Sequence, residues 1–434
     1  MKKMVSACLI LFTLLVSLNY NTFAQKNEWV NQVIVVNGGK YESGSPSDYV
    51  TVQSYNPVTQ VTNIFGTIYT QSTQHAIIND NFLYVAAQDS IIKYNIDTYQ
   101  RVAAIADSGL SKLYLYNNRL IVTKQWPIKR FFAEVLDAND LSLITRIQNI
   151  SGDCGEVTVA QDTVYIAVNG GYTGTTGKLA VINTENWSLR REIELGPDAK
   201  GIWNLYNYSG LLVGVCRTPS GSAENSYLTF FDYFTGVFAN VPFGITLSDG
   251  YGIKDDLLYL NINKGIGTIN VMTKNIQDTV VIPDPGSQLK IFISSAAIDY
   301  INGNIYRNIG NMINSGRGVI SNAVGDSIGW YPTGINADAI AIDYRTPVGI
   351  SGQQGHSDLS VYPNPVNDYL LVDYSGQGEI TGIVLSDLAG RIFSTPCDIT
   401  PNRTRINCSD LKPGIYFLTT RTTTGNITRK FIKQ

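Results

Sequence analysis

An apolar triplet returns seven times between residues 29 and 346, each copy set among polar or turn-forming residues. The copies are Ile34-Val35-Val36, Leu83-Tyr84-Val85, Leu120-Ile121-Val122, Val164-Tyr165-Ile166, Leu211-Leu212-Val213, Leu258-Tyr259-Leu260 and Asn304-Ile305-Tyr306. Their central positions, 35, 84, 121, 165, 212, 259 and 305, lie 49, 37, 44, 47, 47 and 46 residues apart. A period of roughly 45 residues is the length of a four-stranded propeller blade. A second strand type precedes most triplets across a short polar turn, at 74–79, 112–116, 156–161, 203–208, 251–254, 296–300 and 337–344. The first triplet has no such strand before it, and the last such strand has no triplet after it. Pairing the two ends completes a blade and hides edges that an open stack would expose. A third strand recurs at 91–97, 179–183, 228–232 and 266–271, where Asn or Asp leads into a turn, as at Asp97-Thr98 or Asn183-Thr184.

A different alternation begins near residue 357. Leu370, Val372 and Tyr374 alternate with Leu371 and Asp373, and Asp387-Leu388-Ala389-Gly390, Thr424-Gly425-Asn426 and Pro413-Gly414 read as turns. About 75 residues of this kind can form a small sandwich. The stretch 347–356, rich in Gly and Gln, reads as a flexible linker. At the other end, Lys2 and Lys3 precede an apolar run over 5–16, followed by Thr22-Phe23-Ala24. That pattern predicts a signal peptide over 1–24, with Gln25 starting the mature chain. The run is too short for a membrane span, and no later one is long enough. Cys8 sits inside the run rather than at the cleavage point, so no lipoprotein anchor is expected. The expected fold class is all-β: a seven-bladed β-propeller over 25–346, then the linker, then a small β-sandwich over 357–434.

Composition agrees with many short strands joined by turns: charged residues make up 15%, beside 26 Tyr and 39 Gly. Loss of 1–24 removes two lysines and takes the formal charge from −3 to −5, which gives no electrostatic case for nucleic acid. Four cysteines remain: Cys154, Cys216, Cys397 and Cys408. One bridge within each region and free buried thiols are both open, because sequence cannot fix Cα separations. No Cys-x-x-Cys occurs, so neither a zinc site nor a redox motif is supported.

Two resemblances add to this reading. The segment holds Leu359-Ser360-Val361-Tyr362-Pro363-Asn364-Pro365, then Val384-Leu385-Ser386-Asp387-Leu388-Ala389-Gly390-Arg391, Leu411-Lys412-Pro413-Gly414-Ile415-Tyr416 and a Lys-rich end. It resembles the type A C-terminal sorting domain of type IX secretion cargo. The resemblance implies the type IX machinery as a partner, and export across the outer membrane. Cleavage of the domain, then anchoring to surface lipopolysaccharide or release, would follow. Phrases such as Tyr84-Val85-Ala86 and Val181-Ile182-Asn183-Thr184 resemble YncE-like propellers. Val33 to Asp48, Val52-Gln53-Ser54-Tyr55-Asn56-Pro57 and Val61 to Phe65 are similar to the DUF5074 family. Members of that family are bacterial surface propellers, often encoded beside TonB-dependent outer-membrane transporters, and some relatives capture cobalamin. This chain has no lipobox, and it reads Asn37-Gly38-Gly39 where the family more often places an acidic residue between Asn and Gly.

In a propeller, the loops that lead into the innermost strand share a face with those joining the second and third strands, and this face is the expected binding face. The second-to-third loops fall at 37–49, 125–132, 169–177, 217–227 and 307–318. They carry Tyr41, Trp126, Arg130, Phe131, Tyr172, Arg217 and Arg307; the loops before innermost strands add Trp203, Tyr251 and Trp330. Aromatic faces suit flat or sugar-like ligands, and arginine suits carboxylate or phosphate. Each of these residues could equally be structural, as a ring packed between blades or a solvated arginine. Catalytic chemistry is poorly represented. His356 lies in the linker, and His75 has no adjacent nucleophile or acid that would make it a general base. Metal, phosphate-loop and nucleophile-elbow motifs are missing, and no cofactor is expected. The leading expectation is therefore a non-catalytic cell-surface protein that captures a small molecule such as cobalamin, or a glycan, or docks on a transporter. A protein or matrix scaffold is the second expectation, and a secreted polysaccharide lyase or hydrolase the third.

Overall fold

The seven apolar triplets fall on strands covered on both faces, with Asn304 of the last copy just ahead of its strand. These strands are Trp29–Asn37, Phe82–Ala87, Arg119–Lys124, Thr163–Val168, Leu211–Cys216, Leu257–Ile262 and Ile305–Gly310. Ile34, Leu83, Ile121, Val164, Leu212, Leu258 and Ile305 within them are all 0% exposed. Double-sided burial explains why these runs are continuously apolar rather than alternating.

The structure, a computed structural model, describes residues 28–40, 48–217, 226–346, 359–374, 380–387, 391–393, 397–399, 403–423 and 425–434. The expected signal peptide, the linker, Tyr41 and the turns at 388–390 and 424 lie outside the described residues. Two compact units make up the chain, 1–346 and 347–434.

In the first unit, every triplet strand is the second of a four-stranded antiparallel sheet. Six sheets use consecutive strands, counted outward from the centre, as in His75–Asn79, Phe82–Ala87, Ser90–Asn95 and Gln100–Ala106. The remaining sheet, here blade one, joins the two ends. Ala339–Arg345 pairs with Trp29–Asn37, with Ile340 opposite Val35 and Ile342 opposite Val33. Asp343 of the incoming strand is fully buried. Its Oδ2 accepts from Asn31 and Gln32 at 3.0 Å each, and its Oδ1 accepts from Arg345 Nε at 2.6 Å. Arg345 also reaches Asp97 of blade two at 2.8 Å. The innermost strands pack in ring order, from His75–Asn79 through Ala339–Arg345 and back. This is a seven-bladed β-propeller closed by pairing strands from opposite ends of the unit.

A turn device repeats at the end of the third strands. Asn56, Asn95, Asp137, Asn183, Asp232, Asn270 and Asn322 each accept, on the side-chain oxygen, the backbone N–H two residues ahead. Such a turn needs a short acceptor side chain, which is why Asn or Asp recurs there. The expected turn at Asp97-Thr98 is built by Asn95, whose Oδ1 also takes the Thr98 N–H at 3.1 Å.

The second unit is a sandwich of two four-stranded sheets. One contains Leu359–Tyr362, Tyr369–Tyr374, Arg403–Asn407 and Cys397–Ile399; the other contains Ile392–Phe393, Ile380–Asp387, Gly414–Thr422 and Gly425–Lys433. Leu370, Val372 and Tyr374 are buried while Leu371 and Asp373 are only partly so, as the alternation predicts. They pack with Leu359, Ile406, Leu418 and Phe431 in one core.

Cys154, Cys216 and Cys408 are free and buried, so neither expected bridge forms. The reason is packing: Cys154 sits in the core between blades three and four, and Cys216 in the core between blades four and five.

Candidate functional site

Five innermost strands slip register near their start. The shifts fall between Leu110 and Leu113, Cys154 and Val157, Ile202 and Asn204, Leu247 and Gly250, and Ile293 and Ser295. A bulge frees residues from the ladder and re-aims their side chains. The freed residues include Lys112, Glu156, Asp249 and Ser294, and all four line a cavity of about 630 Å³ at the centre of the ring. Gln74, His75, Asn204, Tyr251 and Asp338 add to its polar wall, which Tyr114 and Tyr206 also line.

The wall is built from paired and perturbed groups. Lys112 Nζ lies 3.8 Å from Glu156 Oε2. Burial pushes the Glu156 carboxyl up, and the Lys112 ammonium opposes the shift. His75 Nδ1 accepts the Leu113 N–H at 3.1 Å, so the ring proton sits on Nε2. Burial and the Lys112 charge hold His75 well below the usual imidazole range, and it is neutral. Burial raises the Asp338 carboxyl to about 7, against the pull of its hydrogen bond from Asn336. Asn204 Oδ1 accepts the Gly250 N–H at 2.9 Å and ties blade five to blade six at the cavity wall.

One expected group assembles beside the cavity. The Arg217 guanidinium lies 3.9 Å above the Trp203 ring and ion-pairs with Asp249. Tyr251 lines the cavity on the same blade as Asp249. Stacking and the ion pair fix the arginine plane, leaving an aromatic and charged rim. Trp203 and Tyr251 lie within the innermost strands Ile202–Tyr208 and Leu247–Lys254, not in the loops before them.

The other expected residues are more scattered. Trp126 and Tyr172 are each 80% exposed on their loops. Asp153 connects these loops: it accepts the Trp126 N–H at 3.3 Å and packs against Gly171. Arg130 is exposed, with its guanidinium 5.1 Å from the Phe131 ring. Arg307 belongs to the second strand of blade seven and lines a different pocket. Trp330 is not in a loop before an innermost strand. It sits in the outermost strand Ser327–Pro332, opposite Val319, with its ring exposed away from the centre. Lys112, Glu156, Asp249 and Asp338 lie in or at the start of innermost strands, so a reading of the loops does not reach them. The signal available was a polar residue at the start of each innermost strand. Among the described residues, no group of three His, Cys, Asp or Glu could hold a metal, and no helix is long and apolar enough to cross a membrane.

The sheet order defines a class: a β-propeller followed in the chain by a small β-sandwich. Residues 360–434 match the family described as the secretion system C-terminal sorting domain. The chain therefore carries a type IX sorting domain, which directs secretion and attachment at the cell surface. A search of curated proteins finds no match. Among solved structures, hydrazine synthase from Kuenenia stuttgartiensis is similar at 12% identity and a TM-score of 0.49, over 67% of this chain and 97% of that one. BamB from Moraxella catarrhalis is similar at 12% identity and 0.43, over 88% and 97%. PorZ, a surface component of the type IX secretion system of Porphyromonas gingivalis, is similar at 8% identity and 0.33, over 88% and 73%. These likenesses are distant, and the propeller assignment rests on the sheet order itself.

Proposed function

We propose that this is a non-catalytic binding protein of the cell surface, whose propeller captures a small polar molecule or glycan at the central cavity. The observation that carries this reading is the convergence of bulge-displaced Lys112, Glu156 and Asp249 on one cavity, beside the Trp203–Arg217 stack and Tyr251. The groups are held by one another and by the strands, so little ordering is needed on binding. The sequence resemblance to DUF5074 and YncE-like propellers supports cobalamin as one probe, and a TonB-dependent transporter as the partner that receives the ligand. The test is calorimetric titration of the secreted protein with cobalamin, its precursor and a panel of glycans. Micromolar or tighter binding that weakens at least about tenfold in Tyr251→Ala is expected, a loss of about 1.4 kcal/mol. Flat heats with every ligand would refute capture.

A second reading, a polysaccharide lyase or hydrolase, draws on Glu156 and Asp338, two carboxyls whose burial favours the protonated form. Turnover of a polysaccharide that is abolished by Glu156→Gln would favour it over capture.

A further inference from the structure

Blades six and seven enclose a second pocket of about 480 Å³, which shares no lining residue with the central cavity. Arg307 and Arg317 line it together with Ile282, Pro283 and Ile309. Across the ladder Arg307 stands opposite Val319, and Arg317 opposite Ile309. The two arginines are thus diagonal neighbours on one face of the sheet. Both guanidiniums are permanently charged, and they repel. Among the described residues, neither has a carboxylate within ion-pairing distance. Asp284 borders the pocket, but its oxygens accept the N–H groups of Gly286 and Ser287 at 3.0 and 2.8 Å, and the Ser287 hydroxyl. Arg307 donates from Nη1 to the Ser321 hydroxyl, whereas its buried Nε has no partner. A buried donor left unpaired and two like charges side by side are both unfavourable, and one anion would relieve both.

We propose that this pocket binds an oxyanion, presented by a ligand whose apolar or ring-shaped body packs on Ile282, Pro283 and Ile309. The two guanidinium forks grip the anion, and the Ile and Pro surface selects what carries it. The site is independent of the central cavity.

The test compares thermal midpoints of the secreted protein in sodium phosphate and in sodium chloride of equal ionic strength. Calorimetry then ranks phosphate, sulfate and glucuronate, which separates a tetrahedral anion from a carboxylate on a sugar ring. Phosphate is expected to raise the midpoint above the chloride control. Arg317 is exposed, so Arg317→Ala keeps the fold, and it should weaken anion binding at least about tenfold, the scale of one lost charge-assisted contact. Arg317→Glu should raise the midpoint without added anion, by pairing with Arg307, and abolish the phosphate response. Tyr251→Ala, in the central cavity, should leave that response unchanged. An equal rise in chloride, no binding of any of the three anions, or an undiminished response in Arg317→Ala would each overturn the proposal.

Discussion

Replacing Asp338 by asparagine should make the propeller less sensitive to pH, and the size of the effect follows from the cavity. The carboxyl lies in the wall of the central cavity, and burial raises it from 3.8 to about 7 while Asn336 donates to it. Its native-state value exceeds the unfolded one, so the native state binds more protons between those two values. Stability from this group is fully present below pH 3.8. It declines as pH rises and is lost above about 7. A shift of this size corresponds to an upper bound of about 4 kcal/mol. Relaxation around the ionised group reduces that, so about 2 to 4 kcal/mol is expected. The assay is urea unfolding of wild type and Asp338→Asn at a series of pH values from 4 to 8. Asparagine keeps the shape and cannot ionise, so the stability difference between the proteins isolates this one group. The variant should gain on the wild type steadily as pH rises and hold its advantage above neutrality. Parallel stability curves across the range would show that Asp338 is solvated in the folded state, and would remove the case that the cavity wall buries it. The same protonation changes what the cavity offers a ligand: a hydroxyl donor below neutrality and an acceptor above it.

Asp343→Ala removes the fully buried acceptor that joins Asn31, Gln32 and Arg345 across the ring closure. It should cost about 3–5 kcal/mol in urea unfolding, and an unchanged midpoint would mean that the apolar ladder alone closes the ring. Gly318→Ala would place a Cβ 1.9 Å from the buried Tyr331 ring, so a loss of about 1–3 kcal/mol is expected, shrinking in a Tyr331→Ala background. Failure to shrink would point to a cause other than the ring. Trp126→Ala and Arg130→Ala change exposed loop residues that do not line the central cavity, so the unfolding midpoint should be unchanged and ligand affinity should stay within a factor of about two of wild type. Binding weakened about tenfold in either would extend the site from the cavity onto these loops.

Much of the fold was legible because one strand in each blade is buried on both sides. Ile34, Leu83, Ile121 and their counterparts must be apolar on both faces, and this writes a period into the chain. The unmatched strands at the two ends announced the ring closure for the same reason. The outermost strands left no such mark. Ser188–Glu194 and Asn275–Ile282 are exposed over most of their length, so their sequences are free to vary. The site divides in the same way. Of the aromatic and arginine residues expected on one face, Trp203, Arg217 and Tyr251 do come together, whereas Arg307 lines another pocket and Trp330 sits on an outermost strand. Bulges decided the rest. Lys112, Glu156 and Asp249 sit in strands of different blades, and only closing the ring brings them to one cavity. A strand's own burial is a local property that its residues record. The meeting of side chains from separate blades depends on where every other blade stands, and no single stretch of sequence carries that information.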